Sequence, residues 1–441
     1  MAASVTHPTA RYGLRPAAGL PYLRSHMMRT RHKTAAAGAI AIALFLAACG
    51  SSSSGGSSGG ATGGAAKTTV TVGVFGDLTG AAASGNKTLP DGIKAGTYYA
   101  DRNGYTVKYV VGDSATNPTT ALSVAQKFVT QDHVLAVIAV SSLLFAATNY
   151  LTAHNVPVVG ISSDGPEWIT SKNMFSVVGP LQQTKVATTD GAFLKKMGAT
   201  NLAALGYSVS PVSSEAASSA AASAEAAGLK IGYLNAKFPF GSTNVGPTVL
   251  QMKSAGIDAL IPTVDPDTAF SLIKGLRDSG VNLKVALLAT GYGGDLLQAG
   301  EGALASAQNV YFGISFEPIE MQTPATKAFA ADLASAGITT APTYAMYVGY
   351  NSMGLLVRAL KAAGPKPTQA SLTTALTDIH DWDGLGLFGG HKVDINDRQN
   401  VVGGPDNCLW MTKLEGKSFK LVPGADPICG TVIPGKTVAA S

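Results

Sequence analysis

From residue 68 onward the chain alternates between two hydrophobic rhythms. Apolar runs such as Val70–Phe75 and Val134–Val140 are nearly continuous, which suits strands buried on both faces of a sheet. Between them, apolar residues recur at helical spacing; over 118–131, Leu122, Ala125, Phe128 and Val129 share one side. The pattern predicts a helix over Leu89–Asp101, a strand over Thr106–Val111, a helix over Leu143–His154 and a strand over Val156–Ile161. After a link at Val177–Leu181 it predicts helices over 182–197, 214–227, 243–255, 266–279 and, briefly, 295–300. Strands at 201–206, 229–233, 258–264, 284–289 and 309–314 separate them. Two further helices are expected at Pro324–Ala336 and Tyr344–Ala363, and a short one at Ser371–Leu376. A strand pair around Cys408–Met411 and Phe419–Val422 closes the pattern.

Strand, turn and helix in recurrence indicate an α/β protein built on open parallel sheets. About 360 residues follow this rhythm, too many for one convenient sheet, so two lobes are expected. The segment Ser213–Ala227 is almost entirely alanine and serine. Alanine favours helix and Ser213 or Ser214 can cap one, so this reads as a thinly packed surface helix rather than an inserted loop.

The first 67 residues follow another logic. A basic run, Arg29–Lys33, precedes an apolar stretch from Ala35 to Ala48. Fourteen helical residues would span about 21 Å, short of the roughly 30 Å hydrocarbon core, which favours an export signal over a membrane anchor. Met27 or Met28 would be a more economical start than Met1. Leu46-Ala47-Ala48-Cys49-Gly50 resembles the cleavage box of bacterial lipoproteins, in which Cys49 is lipidated and becomes the first residue. An ordinary signal with Cys49 incidental is the alternative. Residues 51–67 are nearly all Ser, Gly, Ala and Thr and read as a flexible tether.

This division also changes the meaning of the charge. The chain carries a formal +5, but six basic and no acidic residues lie in the first 48. The remainder holds 26 basic against 27 acidic residues, which removes the electrostatic case for a nucleic-acid partner. Of three cysteines, Cys408 and Cys429 remain for a structural disulfide, which persists outside the cytoplasm.

No phosphate-binding glycine loop, nucleophile elbow or clustered metal ligands can be found. The four histidines beyond the signal, His133, His154, His380 and His391, are scattered. No enzyme, cofactor or metal is therefore expected. The polar chemistry lies instead at glycine- and hydroxyl-rich tips beyond strands: Gly76–Gly80, Ser141-Ser142, Ser162–Gly165 and Thr290–Gly294. In an open parallel sheet these tips border the ligand crevice. They are suited to binding without conversion.

Several segments, in order, resemble the type I solute-binding proteins of ABC importers, in the branched-chain amino acid subgroup. They are Val72–Gly80, Gly112–Pro118, Ala139–Ser142, Asn155–Val158 and Asn173–Gly179, then Gly256–Leu260 with Phe270, Ile273, Leu276 and Gly280. The resemblance covers nearly all of 69–423. It implies two α/β lobes joined by three crossings, 68–180 with 316–385 and 181–315 with 386–436, hinging shut on a solute. It further implies delivery to permease subunits driven by cytoplasmic ATPases, from a monomer held by its lipid on the outer face of the cytoplasmic membrane.

Residue by residue, the resemblance implies that Ser142 holds a ligand carboxylate, with Ser141 beside it and Ser162-Ser163 on the next loop. Leu78 faces the cleft, and Ser84 stands where many members have a large aromatic. Tyr207 lies four residues before Pro211, which matches a family tyrosine. Gly291, with Tyr292 beside it, occupies the place of the acid that pairs with an amino acid's ammonium. Unless Asp265 or Asp164 replaces that acid, an amide, an aromatic acid or another neutral compound is implied. A lipoprotein that reports ligand to a membrane receptor is the alternative, and a ligand-free structural envelope protein a remote one. Trp168, Trp382 and Trp410 are expected to pack structurally.

Overall fold

The computed structural model describes residues 67–242 and 244–439; the signal, Cys49 and nearly all of the tether lie outside them. The first sheet is parallel throughout. Its strands β1 (Thr68–Gly76), β2 (Tyr105–Asp113), β3 (Ala136–Val140), β4 (Val158–Gly160) and β5 (Met174–Ser176) run in the order β2-β1-β3-β4-β5. Helices α1 (Ala83–Asn86), α2 (Leu89–Arg102), α3 (Pro118–Thr130), α4 (Phe145–Ala153) and α5 (Glu167–Thr170) connect them. Their starts follow local chemistry: Asn117 accepts hydrogen bonds from Thr119 N and Thr120 N, and Pro118 occupies the first helical turn of α3.

The chain then crosses to a second sheet. In order come β6 (Lys185–Ala187), α6 (Thr189–Lys196), β7 (Asn201–Tyr207), α7 (Pro211–Ala226), β8 (Lys230–Phe238) and α8 (Gly246–Ser254). They are followed by β9 (Ala259–Thr263), α9 (Pro266–Asp278), β10 (Val285–Leu288), α10 (Gly294–Gln298), α11 (Glu301–Ser306) and β11 (Tyr311–Ile314). A return to the first lobe supplies α12 (Pro324–Ser335), α13 (Tyr344–Ala363) and α14 (Gln369–Thr377), with α13 lying against α2, β3 and β4. Glycines permit that approach: a Cβ on Gly92 would lie 2.3 Å from Met346 O.

The last crossing leads to β12 (Cys408–Glu415), β13 (Ser418–Leu421), β14 (Ile428–Cys429) and β15 (Val432–Thr437). The second sheet has the order β13-β12-β11-β10-β9-β7-β8, antiparallel at its β11-β12-β13 end, with β14 paired to β12. Cys408 and Cys429 face each other in that pair and are disulfide-bonded. The fold is thus two-lobed α/β with three crossings.

Three features differ from the sequence pattern. The expected helix over 182–197 is split, because β15 pairs antiparallel with Lys185–Ala187 and only Thr189–Lys196 is helical. That partner lies more than 200 residues away and leaves no local signal. The alanine-rich helix α7 is not thinly packed: Ala217, Ala220, Ala221 and Ala224 are buried, and it closes on β7 so tightly that a Cβ on Gly206 would sit 2.1 Å from Ser213 O. Ser210 caps it, rather than Ser213 or Ser214.

The third crossing also comes later than residue 385. Val393 bridges to Trp382, Asn396 Nδ2 donates to Leu376 O and Ile379 O, and Arg398 donates to Trp168 O and Met174 O. These bonds keep 386–398 with the first lobe. Trp168, Trp382 and Trp410 are each buried, as packing roles require.

Candidate functional site

The carboxyl ends of the strands in both lobes point toward one seam. On one rim, the backbone N–H of Asp267 donates to Ser84 Oγ at 3.5 Å, and Gly85 lies against Pro266. On the other, Ser210 Oγ and Val212 N donate to Asp164 O at 3.0 and 3.2 Å. The lobes therefore meet through loops that follow β1 and β4 in lobe one, and β7 and β9 in lobe two.

In lobe one the tips converge on Asp77, which is fully buried. Its carboxylate accepts from Ser114 Oγ, from Ser141 Oγ at 2.7 Å, from Ser142 N at 2.6 Å and from Asn86 Nδ2 at 3.3 Å. Burial pushes the Asp77 carboxyl up, against the pull of these donors. Ser141 and Ser142 are thus brought together, but the Ser141 hydroxyl and the Ser142 N–H serve the protein's own carboxylate. Leu78 N donates to Asp113 Oδ1 at 2.9 Å and holds the first loop onto β2. Ser163 Oγ donates to Ser141 O, while Ser162 is buried with its Oγ unpartnered among the described residues.

Asp164 is committed to structure. Its carboxylate receives Phe145 N and the Trp168 indole N–H, and desolvation with the neighbouring Glu167 pushes its carboxyl well up. Of the two acids weighed as substitutes for the family's, Asp265 is the one with an oxygen that has no hydrogen-bond partner among the described residues.

In lobe two, Tyr207 and Asp265 do come together. The Asp265 N–H donates to Tyr207 Oη at 3.3 Å and Tyr207 donates to Thr268 Oγ1 at 2.9 Å. Phe238 and Phe240 flank the Tyr207 ring. Asp265 Oδ2 is shielded from water without a hydrogen-bond partner among the described residues. Burial first, then the charge of Asp77, pushes the Asp265 carboxyl up to about 7. Asp77, in lobe one, is thus near enough to be felt by Asp265, in lobe two.

Gly291 lies against Pro266 on the seam, whereas Tyr292 turns away from it. Gly291 has a φ of +86°, and a Cβ there would meet the Phe270 ring at 2.9 Å, so this position has no room for an acidic side chain. Tyr292 is 1% exposed; its hydroxyl donates to Glu320 Oε2 at 2.5 Å and its ring packs on Phe419 and Tyr347. It is a strut between lobe two and the second crossing, not a cleft-lining ring.

Sequence reasoning passed over three seam residues. Lys87, Asp267 and Asp295 line a cavity of about 190 Å³ with Ser84, Pro266 and Gln298. Asp295 directly follows the glycine-rich tip 290–294, so that tip ending in an acid was the available signal. Its carboxyl is pushed up to about 7 by burial. A separate cavity of about 210 Å³ lies toward the hinge in lobe two, lined by Asp190, Ile261, Leu288, Ser315 and Tyr344 among others. No residue singled out from the sequence borders it. His391 approaches Cys408 and Cys429, but those sulfurs are bonded to each other and hold no metal as they stand.

Residues 69–418 match the family model described as periplasmic binding protein. The chain belongs to that family. A comparison with curated proteins finds no match. Among solved structures, the chain is similar to an R. palustris ABC-transporter solute-binding protein in complex with 4-hydroxybenzoate, at 19% identity and TM-score 0.66, covering 80% of this chain and 96% of that one. It is also similar to a branched-chain amino acid transporter substrate-binding protein of Streptococcus pneumoniae in complex with isoleucine, at 18% identity and TM-score 0.66, covering 83% and 99%. A substrate-binding periplasmic protein from Ralstonia solanacearum aligns at 19% identity and TM-score 0.67, covering 81% and 100%. Among the described residues, no helix is long and apolar enough to cross a membrane.

Proposed function

We propose that this periplasmic binding protein is an extracytoplasmic lipoprotein that captures a small polar organic solute between its lobes and hands it to an ABC importer. Lobe one is taken as 68–180 with 316–398, and lobe two as 181–315 with the chain beyond 404. Cys49 carries the lipid, residues 50–67 give reach, and the protein works as a monomer. The solute is an amino acid, an amide or a compound of similar size; two structural neighbours hold isoleucine and 4-hydroxybenzoate. No bond is made or broken. A ligand that touches both lobes favours the closed form by its differential affinity, and the permease reads that form.

The observation that carries this reading is the meeting of polar strand tips from both lobes, Ser84 with Asp267 and Asp164 with Ser210 and Val212. A thermal-shift panel of amino acids, amides, aromatic acids and amines on the full chain tests it. A ligand at a hundred times its Kd adds about 2.7 kcal/mol of stability. At least one compound should raise the melting temperature and contract the protein in small-angle scattering. A panel that moves neither quantity counts against the receptor reading.

A further inference from the structure

The seam carries four carboxylates from three separate stretches of chain. Asp77 follows β1, Asp265 and Asp267 bracket the start of α9, and Asp295 lies in α10. Asp295 is 8% exposed, yet neither of its oxygens has a hydrogen-bond partner among the described residues. It lines the 190 Å³ cavity together with Asp267, which is exposed. Lys87 supplies the cavity's positive charge; it attracts Asp295 without coming into hydrogen-bond contact. One cation against two lining carboxylates leaves the cavity negative, and Asp265 and Asp77 extend that field toward the strand tips.

A buried carboxylate without a donor is costly, and structural acids are normally given partners, as Asp77 is. Among the described residues neither Asp295 oxygen has such a donor, and Asp265 Oδ2 has none either. Four lobe-one donors, Ser114 Oγ, Ser141 Oγ, Ser142 N and Asn86 Nδ2, are already directed to Asp77. A solute carboxylate that took the Ser142 N–H would have to displace Asp77, and one at the Ser142 hydroxyl would sit beside its charge. A cationic nitrogen meets the opposite situation, with unpartnered acceptors in a negative, partly desolvated space.

We propose that the solute is a cationic amine whose protonated nitrogen is received by Asp295 and Asp265, with no solute carboxylate docked at Ser142. This rests on the solute-receptor reading and narrows it. The groups facing the two acids are Asp77, Asp267 and Tyr207 around Asp265, and Lys87 and Asp267 around Asp295. Since burial holds both carboxyls near 7, an arriving ammonium pulls them back to the ionised form. Binding at neutral pH should therefore release protons.

The test is calorimetry and thermal shift on the full chain with putrescine, agmatine and tyramine as amines, leucine as a zwitterion and 4-hydroxybenzoate as an anion. Calorimetry is run in two buffers of different ionisation enthalpy, so that proton release is read directly. At least one amine is expected to bind with proton release, and Asp295→Asn and Asp265→Asn, whose unliganded melts report folding, are each expected to weaken it at least tenfold. Absence of binding by all three amines overturns the inference, as does amine binding unchanged in both variants. If leucine or 4-hydroxybenzoate binds instead, the charge assignment falls while the receptor reading stands. If no compound binds and scattering is unmoved, both fall.

Discussion

Asp77 in lobe one and Asp295 in lobe two are both withdrawn from water, yet the chain provides for only the first. Asp77 collects two hydroxyls, a backbone amide and a side-chain amide from four different residues. Asp295 lines a cavity and has no donor among the described residues. The difference separates a carboxylate that builds a loop from one that waits for a partner. Burial alone does not mark a binding residue; burial without satisfaction does.

Substitution at each site should therefore give effects of opposite sign. Asp77→Ala leaves the donors of Ser114, Ser141 and Ser142 without an acceptor and is expected to destabilise the protein by about 3 kcal/mol or more, read by chemical denaturation. Breaking the disulfide with Cys408→Ser and Cys429→Ser should cost a similar amount, about 2–4 kcal/mol, by freeing the loop between them in the unfolded chain. Gly291→Asp tests why the family's acid cannot be restored at that position. A left-handed backbone and the Phe270 ring should cost about 2 kcal/mol, with no gain in binding of any amino acid.

Asp295→Asn should instead stabilise the unliganded protein by about 1–2 kcal/mol, because it removes a charge with no partner. The pH dependence fixes the sign. Asp295 and Asp265 have carboxyls raised to about 7 in the folded state, so their favourable contribution is complete below about 4 and is lost as pH rises through about 7. The gain from Asp295→Asn should accordingly be larger at pH 8 than at pH 5, and a melting series at the two values checks it. The smallest effect belongs to Tyr292→Phe, which loses one hydrogen bond to Glu320, about 1 kcal/mol, and should leave solute affinity unchanged.

The rhythm of apolar residues carried most of the fold, because parallel strands buried on both faces and their helices are written locally. Strands β6, β14 and β15 were not legible, since each depends on a partner supplied from elsewhere in the chain. The tightness of α7 was missed for a related reason: alanine records that a helix forms, but the closeness of its packing depends on glycines at the facing surface, such as Gly206.

At the proposed site, the hydroxyl- and glycine-rich tips led to strand ends where Ser141 and Ser142 gather on Asp77 and Tyr207 meets Asp265. Tyr292 did not follow, because a glycine-rich loop can turn its aromatic inward as readily as outward. Asp77 stood in plain view inside one of those tips, and Asp295 directly after another. Their opposite roles depend on which donors come within reach, and that is settled only when β1, β2 and β3 are side by side.

The most direct measurement is hydrogen exchange of the full chain with and without saturating agmatine, followed in peptides covering 77–87 and 264–268. Capture of a cation across the seam predicts slower exchange in both segments together, lost in Asp265→Asn. Protection confined to one lobe, or persisting undiminished in that variant, would contradict a solute held between the two.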